Sequence, residues 1–255
     1  MGVPRLEFRG VSKRFDRVGA VEDVTLAVND GEVVSLIGPS GCGKSTLLNL
    51  GSGLYAPSAG EVRADGERVT GPNRHVAFML QKDLLLPWRT IRENVEFGLE
   101  IRGSGRAPRR ERAISLLQRF HLDGFENAYP YQLSGGMRQR AALARTLAVE
   151  PTVLLLDEPF SALDAQTKMV LQQDLAQTLA EEKKTALFIT HDLIESIALS
   201  DRILVMSARP GTIIEEIVVA LPERANPMAR RREPGVGGYL SRLMELLHVE
   251  ERRIS

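Results

Sequence analysis

The chain has 255 residues, with 33 lysines and arginines against 33 aspartates and glutamates, so no net field draws it toward nucleic acid. Cys42 is the single cysteine, which excludes an internal disulfide and points to a reducing compartment. The opening "MGVPRLEFRG" lacks the charged lead, apolar core and cleavage site of a secretory signal, and no run of about eighteen apolar residues is present, so neither signal peptide nor membrane span is expected.

In chain order, "RLEFRGVSKRF" (5–15), "AVEDVTLAV" (20–28) and "GEVRADGERV" (60–69) alternate apolar with polar residues and are separated by turn signals. They predict antiparallel strands with one solvated face, packed beside a core. "VVSLIG" does not alternate and stops at Gly38. Three further runs behave the same way: "VAFMLQ" stops at Gln81, "VLLLDE" at Asp157 and Glu158, and "ALFITH" at Thr190 and His191. Short unbroken apolar runs predict strands covered on both faces in a parallel sheet. Helical patterns lie between them, such as "KMVLQQDLAQTLAEE" (168–182), so the fold class is α/β with crossover connections. Ligands in such sheets bind beyond the carboxyl ends of the strands, which would bring these terminal residues to one crevice.

Strand signals vanish between Pro87 and Pro130, and a helical insert is expected over about 87–150. Within it "APRRERAISLLQRF" (107–120) places a proline in a first helical turn and Ile114, Leu117 and Phe120 on one face. Arg106, Arg109, Arg110 and Arg112 then form a solvated face rather than a nucleic-acid site. His75, His121 and His248 have no chemical context and read as surface or packing residues.

"GPSGCGKST" fits G-x-x-x-x-G-K-[ST], with a strand before it and a helix after it. Its members Gly38, Pro39, Ser40, Gly41, Cys42, Gly43, Lys44, Ser45 and Thr46 would present backbone N–H groups to phosphates at a helix N-terminus. Lys44 adds a point charge, the Ser45 hydroxyl can sit on Mg²⁺, and Cys42 is a small loop residue rather than a nucleophile. Asp157 is placed to hold the Mg²⁺ shell, and Glu158 to accept a proton from water attacking the γ-phosphate of ATP. "LSGGMRQR" (133–140) opens a second helix with Ser134, Gly135 and Gly136, again suited to phosphate.

"GPSGCGKST", "LSGGMRQR", "VLLLDEP", "SALD" and His191, in that order, resemble the ATPase subunit of an ATP-binding cassette (ABC) transporter, from about Arg5 to Pro222. The resemblance implies a phosphate-loop core, an N-terminal antiparallel β subdomain and an inserted helical subdomain. It also implies a homodimer closed head to tail, in which Ser134, Gly135 and Gly136 donate to the partner's ATP. Phe15 resembles the aromatic residue stacked on adenine. Gln81 resembles the glutamine that senses Mg²⁺ and the attacking water while linking to the transmembrane partner. Asp164 resembles the aspartate spanning the interface, and His191 the histidine on the γ-phosphate.

Leu84, Leu85, Leu86, Pro87 and Trp88 form an apolar stretch where that family docks its permease, although a core role for the leucines is an alternative. "LLPWRTIRENV" and "SARPGTIIEEIVVALPERANP" (207–227) look most like importers of the nitrate, sulfonate and taurine group. That likeness implies a separate permease, a periplasmic or lipoprotein solute-binding protein, no nucleic acid, and a place on the cytoplasmic face of a bacterial membrane. Alternatives are the ATPase of an exporter or lipid transporter, or a soluble cassette ATPase of DNA repair or translation.

The ATPase domain is expected to span 1–222, and 223–255 to form a linker and an amphipathic helix. "ERANPMARRREPGVGG" (223–238) reads as linker. Leu240, Leu243, Met244 and Leu247 mark a helical stripe that packs back on the domain, and Arg230 to Arg232 are candidate contacts for anionic headgroups.

Overall fold

Alternation in the first third of the chain is matched by a sheet with one covered face. The computed structural model describes residues 4–161 and 163–251. β1 (Leu6–Phe15) pairs antiparallel with β2 (Val18–Val28) on one side. After β3 (Val33–Ile37) and α1 (Lys44–Gly51), β4 (Ala59–Ala64) pairs on the other side of β1 and carries the short β5 (Glu67–Arg68). Leu6, Phe8, Val24, Leu26 and Val62 are among its buried members, which pack with α1 and one face of the central sheet.

β6 (Val76–Met79) leads into the helical part: α2 (Ile91–Ile101), α3 (Arg106–Arg119) and α4 (Gly135–Ala148). Thr90 caps α2 in a reciprocal pair with Glu93, which satisfies orphan N–H groups at the helix start. Asn94, fully buried, folds the preceding loop onto α2. Its Oδ1 accepts the Leu86 N–H at 2.7 Å, and its Nδ2 donates to the carbonyls of Leu86, Arg89 and Thr90. In α3 the buried face is Ala113, Leu116 and Leu117, followed by buried Phe120. Ile114 is not on it; it is half-buried on a shallow surface groove. The face is rotated so that Ala113, Leu116, Leu117 and Phe120 together reach the core. Arg109 pairs with buried Glu96 at 3.3 Å and Arg112 with Glu182 at 3.3 Å, so these two do more than face solvent.

β7 (Val153–Asp157), α5 (Ala165–Glu181), β8 (Thr185–Ile189), α6 (Leu193–Leu199), β9 (Arg202–Met206) and β10 (Ile213–Val218) complete a six-stranded sheet of order β10-β9-β3-β8-β7-β6. All pairings are parallel except β10 with β9. The unbroken apolar runs are explained by cover on both faces. Met79, Leu154, Leu156, Ala186 and Phe188 pack toward the helical part, while Leu36, Leu155, Leu187 and Leu204 pack toward α1 and the antiparallel sheet. β6 departs from the expectation: it is the edge strand and only alternate residues are buried.

Residues 223–235, expected to be linker, form a packed segment instead. Asn226 caps α7 (Pro227–Arg230) by accepting the Ala229 N–H, and α8 (Val236–Glu251) follows. Arg230 is 1% exposed and donates to the Val219 carbonyl, so it faces protein rather than any headgroup. Leu243 is buried against Ile197 and Val205, whereas Met244 is exposed and off the packed face. The side chain of His248, and Ala162 within "SALD", lie outside the described residues. Among the described residues no helix is long and apolar enough to cross a membrane.

Candidate nucleotide site

The phosphate loop runs from the end of β3 into α1. Gly43, the residue before α1, has φ 109°, and a Cβ there would lie 2.6 Å from the Ala20 carbonyl oxygen, so only glycine fits. Lys44 curls back over the loop, its Nζ donating to the carbonyls of Gly38 at 2.8 Å and Pro39 at 2.9 Å. The Cys42 thiol is buried 3.7 Å from that ammonium, a packing position. A cavity of about 330 Å³ opens above the loop, lined by Ser40, Gly41, Gly43, Lys44, Ser45, Thr46 and Glu158 and also by Phe15, Ala20 and Arg209.

The polar ends of neighbouring strands meet here, as the parallel sheet requires. Asp157 ends β7 and is 7% exposed; burial pushes its carboxyl up, while a hydrogen bond with Ser45 works in the opposite direction. Glu158 follows with φ 47°, a left-handed conformation that costs a non-glycine residue about 1–2 kcal/mol. That backbone sets its carboxylate where the Gln81 Nε2 donates to it at 3.0 Å and the His191 Nδ1 lies 3.4 Å away. Three strand ends, after β6, β7 and β8, thus converge on one carboxylate. The Gln139 side chain of α4 donates to the Pro159 carbonyl at 3.0 Å, and Arg145 donates to the Asp83 and Leu84 carbonyls, which tie α4 to the Glu158 and Gln81 loops.

Phe15 is 39% exposed, braced edge-on by Tyr55 with ring centroids 5.4 Å apart, and the Lys13 Nζ lies over its ring at 5.1 Å from the centroid. Arg209, from the turn between β9 and β10, is a cavity residue that the motif reading missed. Its Nε donates to the Gly19 carbonyl at 3.0 Å. It belongs to no motif and lies almost two hundred residues from Phe15 in sequence, so only the pairing of that turn with β2 reveals it.

Ser134, Gly135 and Asp164 are exposed and do not line the cavity. Ser134 caps α4 by accepting the Met137 N–H, and Asp164 caps α5 by accepting the Thr167 N–H, which holds its carboxyl below the usual range. The two helix starts adjoin each other: a Cβ at Gly136 would lie 3.2 Å from Leu163. One chain therefore assembles the phosphate loop, Phe15, Gln81, Asp157, Glu158 and His191, and leaves a second phosphate-suited helix start facing outward.

A family model described as "ABC transporter" matches residues 21–161. An uncharacterised ABC transporter ATP-binding protein of Methanocaldococcus jannaschii is 46% identical over 221 residues, 85% of this chain and 83% of its own. The uncharacterised ABC transporter ATP-binding protein YtlC of Bacillus subtilis is 46% identical over 239 residues, 93% of this chain and 92% of its own. The taurine import ATP-binding protein TauB of Yersinia pestis is 43% identical over 219 residues, 86% of each chain. Among solved structures, a dimeric post-hydrolysis state of the ATP-binding cassette MJ0796 with ADP and Pi superposes with a TM-score of 0.76 at 34% identity. It covers 84% of this chain and 98% of that one.

Proposed function

The chain belongs to the ABC transporter family, as an ATPase whose hydrolysis is coupled to transport, and we propose that it energises uptake of a small anionic solute of the nitrate, sulfonate or taurine type through a separate permease. The observation that carries the importer reading is the likeness, over 86% of the chain, to a protein named for taurine import. The surface beside Gln81 supports a permease partner: Trp88 is 72% exposed and Leu84 53%, while Leu85 is buried, so the apolar stretch is divided between core and surface.

Lys44 and the phosphate-loop amides hold the β- and γ-phosphates, and Phe15 stacks on adenine. Glu158 takes the proton of the attacking water, with Gln81 and His191 fixing its carboxylate and the γ-phosphate end. Mg²⁺ fits this donor set. The Ser45 hydroxyl, the Asp157 carboxylate and the Gln81 amide offer hard oxygens, and among the described residues the buried Asp157 makes no ion pair of its own. Bound there, the ion neutralises phosphate charge.

The exposed Ser134 and Gly135, with Gly136 beside them, complete the site on a second copy, with Asp164 at the interface between them; the dimeric state of the MJ0796 cassette supports this arrangement. ATP binding closes the homodimer, hydrolysis opens it, and the permease changes access accordingly. The assembly includes a solute-binding protein and sits on the cytoplasmic face of the membrane. Deleting the gene and measuring uptake of labelled taurine, an alkanesulfonate and nitrate tests the reading; undiminished uptake of all three contradicts it.

A further inference from the structure

Beneath the His191 loop, a chain of charged and amide side chains, buried at Gln172 and Glu195, joins three parts of the fold and has no task in the scheme above. His191 has a side chain that is 69% exposed and lies near Glu158 without close packing, so its placement depends on the backbone beside it. Thr190, 2% exposed, accepts the Asp192 N–H at 3.0 Å, and Asp192 caps α6 by accepting the Glu195 N–H at 3.1 Å. Lys168, in the first turns of α5 just after Asp164, reaches both of these carboxylates. Its Nζ is 2.8 Å from Asp192 and 2.8 Å from Glu195. Glu195 is 2% exposed and also accepts from the Gln172 Nε2 at 3.0 Å, and the Gln172 Oε1 in turn accepts from Arg231 of the C-terminal segment.

Burial pushes the Glu195 carboxyl up. Burial also opposes the Lys168 charge, but the hydrogen bonds it donates to Asp192 and Glu195 outweigh this and hold the lysine above its usual value. Glu195 is the buried member of the trio, so displacing Lys168 strands its carboxylate and the link resists rearrangement.

We propose that Lys168 is a positioning residue for ATP hydrolysis: it locks the loop bearing His191 to the segment bearing Asp164, so that the γ-phosphate end of the site and the dimer-facing segment move as one body, and Arg231 fastens the C-terminal segment to the same lock. The proposal rests on the roles assigned above to His191 and Asp164. Lys168 itself does not line the cavity.

The test uses steady-state hydrolysis by the full chain. Lys168→Met lowers kcat about tenfold to a hundredfold, the cost of a displacement near 1 Å, and changes KM for ATP by less than about threefold. Lys168→Arg restores most of the turnover, and Arg231→Ala gives a smaller loss in the same direction. In a His191→Ala background, Lys168→Met lowers kcat by no more than about twofold, because the two changes act through one group. Should Lys168→Met fold poorly, Lys168→Met with Glu195→Gln removes the stranded charge and keeps the link to Asp192 broken, so turnover stays low. Recovery of full turnover in that pair overturns the proposal, as does a fully additive loss in the His191→Ala background. A His191→Ala protein with unchanged kcat overturns the role of His191 itself, and the lock with it, which separates the two failures.

Discussion

Gly211 tests how tightly the β9–β10 turn fixes the phosphate loop. Its N–H donates to the Ala20 carbonyl at 3.0 Å and its carbonyl accepts the Glu22 N–H at 3.0 Å, so the turn is pinned to β2. A Cβ at this position would stand 2.1 Å from the Cys42 carbonyl oxygen and 2.5 Å from the Met206 Cε. The methionine tip can swing away, whereas the carbonyl belongs to the phosphate loop and moves only with it. Restoring normal contact requires a shift of about 1 Å, and such a misplacement costs on the order of a hundredfold in rate. Overpacking adds about 1–3 kcal/mol of destabilisation. At about 2–4 °C per kcal/mol for a chain of this size, the melting temperature falls by about 2–12 °C. Gly211→Ala is therefore expected to lower both stability and ATP turnover, although Gly211 is not a cavity residue. Gly71→Ala is the control: nothing lies within 4 Å of its Cβ, and its stability should change by less than about 0.5 kcal/mol. Thermal melts and phosphate-release assays on both variants decide the matter. Wild-type melting and turnover in Gly211→Ala would refute the reasoning.

Glu158→Gln keeps an acceptor for the Gln81 amide and should leave KM for ATP within about threefold while lowering kcat by about 10²–10⁴, measured by phosphate release; unchanged turnover removes Glu158 as the base. Trp88→Ala should leave the melting temperature unaltered, since the ring is 72% exposed, and weaken permease association by about tenfold or more in a pull-down with the purified partner. Lys168 has a folded pKa above the ordinary lysine value near 10.5. Its stabilising contribution is thus complete below that value and is lost as pH rises through the folded one. Melting curves across this alkaline range should fall more steeply for the wild type than for Lys168→Met, and parallel curves would contradict the shift.

The sheet was legible because parallel strands buried on both faces leave unbroken apolar runs, as in the three that end at Gly38, Asp157–Glu158 and Thr190–His191; the run before Gln81 is an edge strand with alternate residues buried. What the sequence concealed depends on tertiary placement. Arg209 reaches the cavity only because its turn pairs with β2 at Ala20. Lys168 and Glu195 read as ordinary helix-surface charges until α5 and α6 pack, which buries Glu195 and brings the half-buried Lys168 onto it. Arg230, in a stretch rich in arginine and proline, looks like solvated linker, and is buried because α7 folds under the Val219 carbonyl. In α3 the expected face of Ile114, Leu117 and Phe120 holds at Leu117 and Phe120, but Leu116 is buried and Ile114 only half-buried, a rotation that depends on what the helix packs against.

The importer assignment is tested most directly by purifying the tagged chain from its own cell membranes in mild detergent and identifying the co-purifying chains. The account predicts a polytopic permease in stoichiometric amount, with a solute-binding protein joining it when solute is supplied. A wholly soluble chain accompanied by ribosomal or DNA-repair proteins would contradict it.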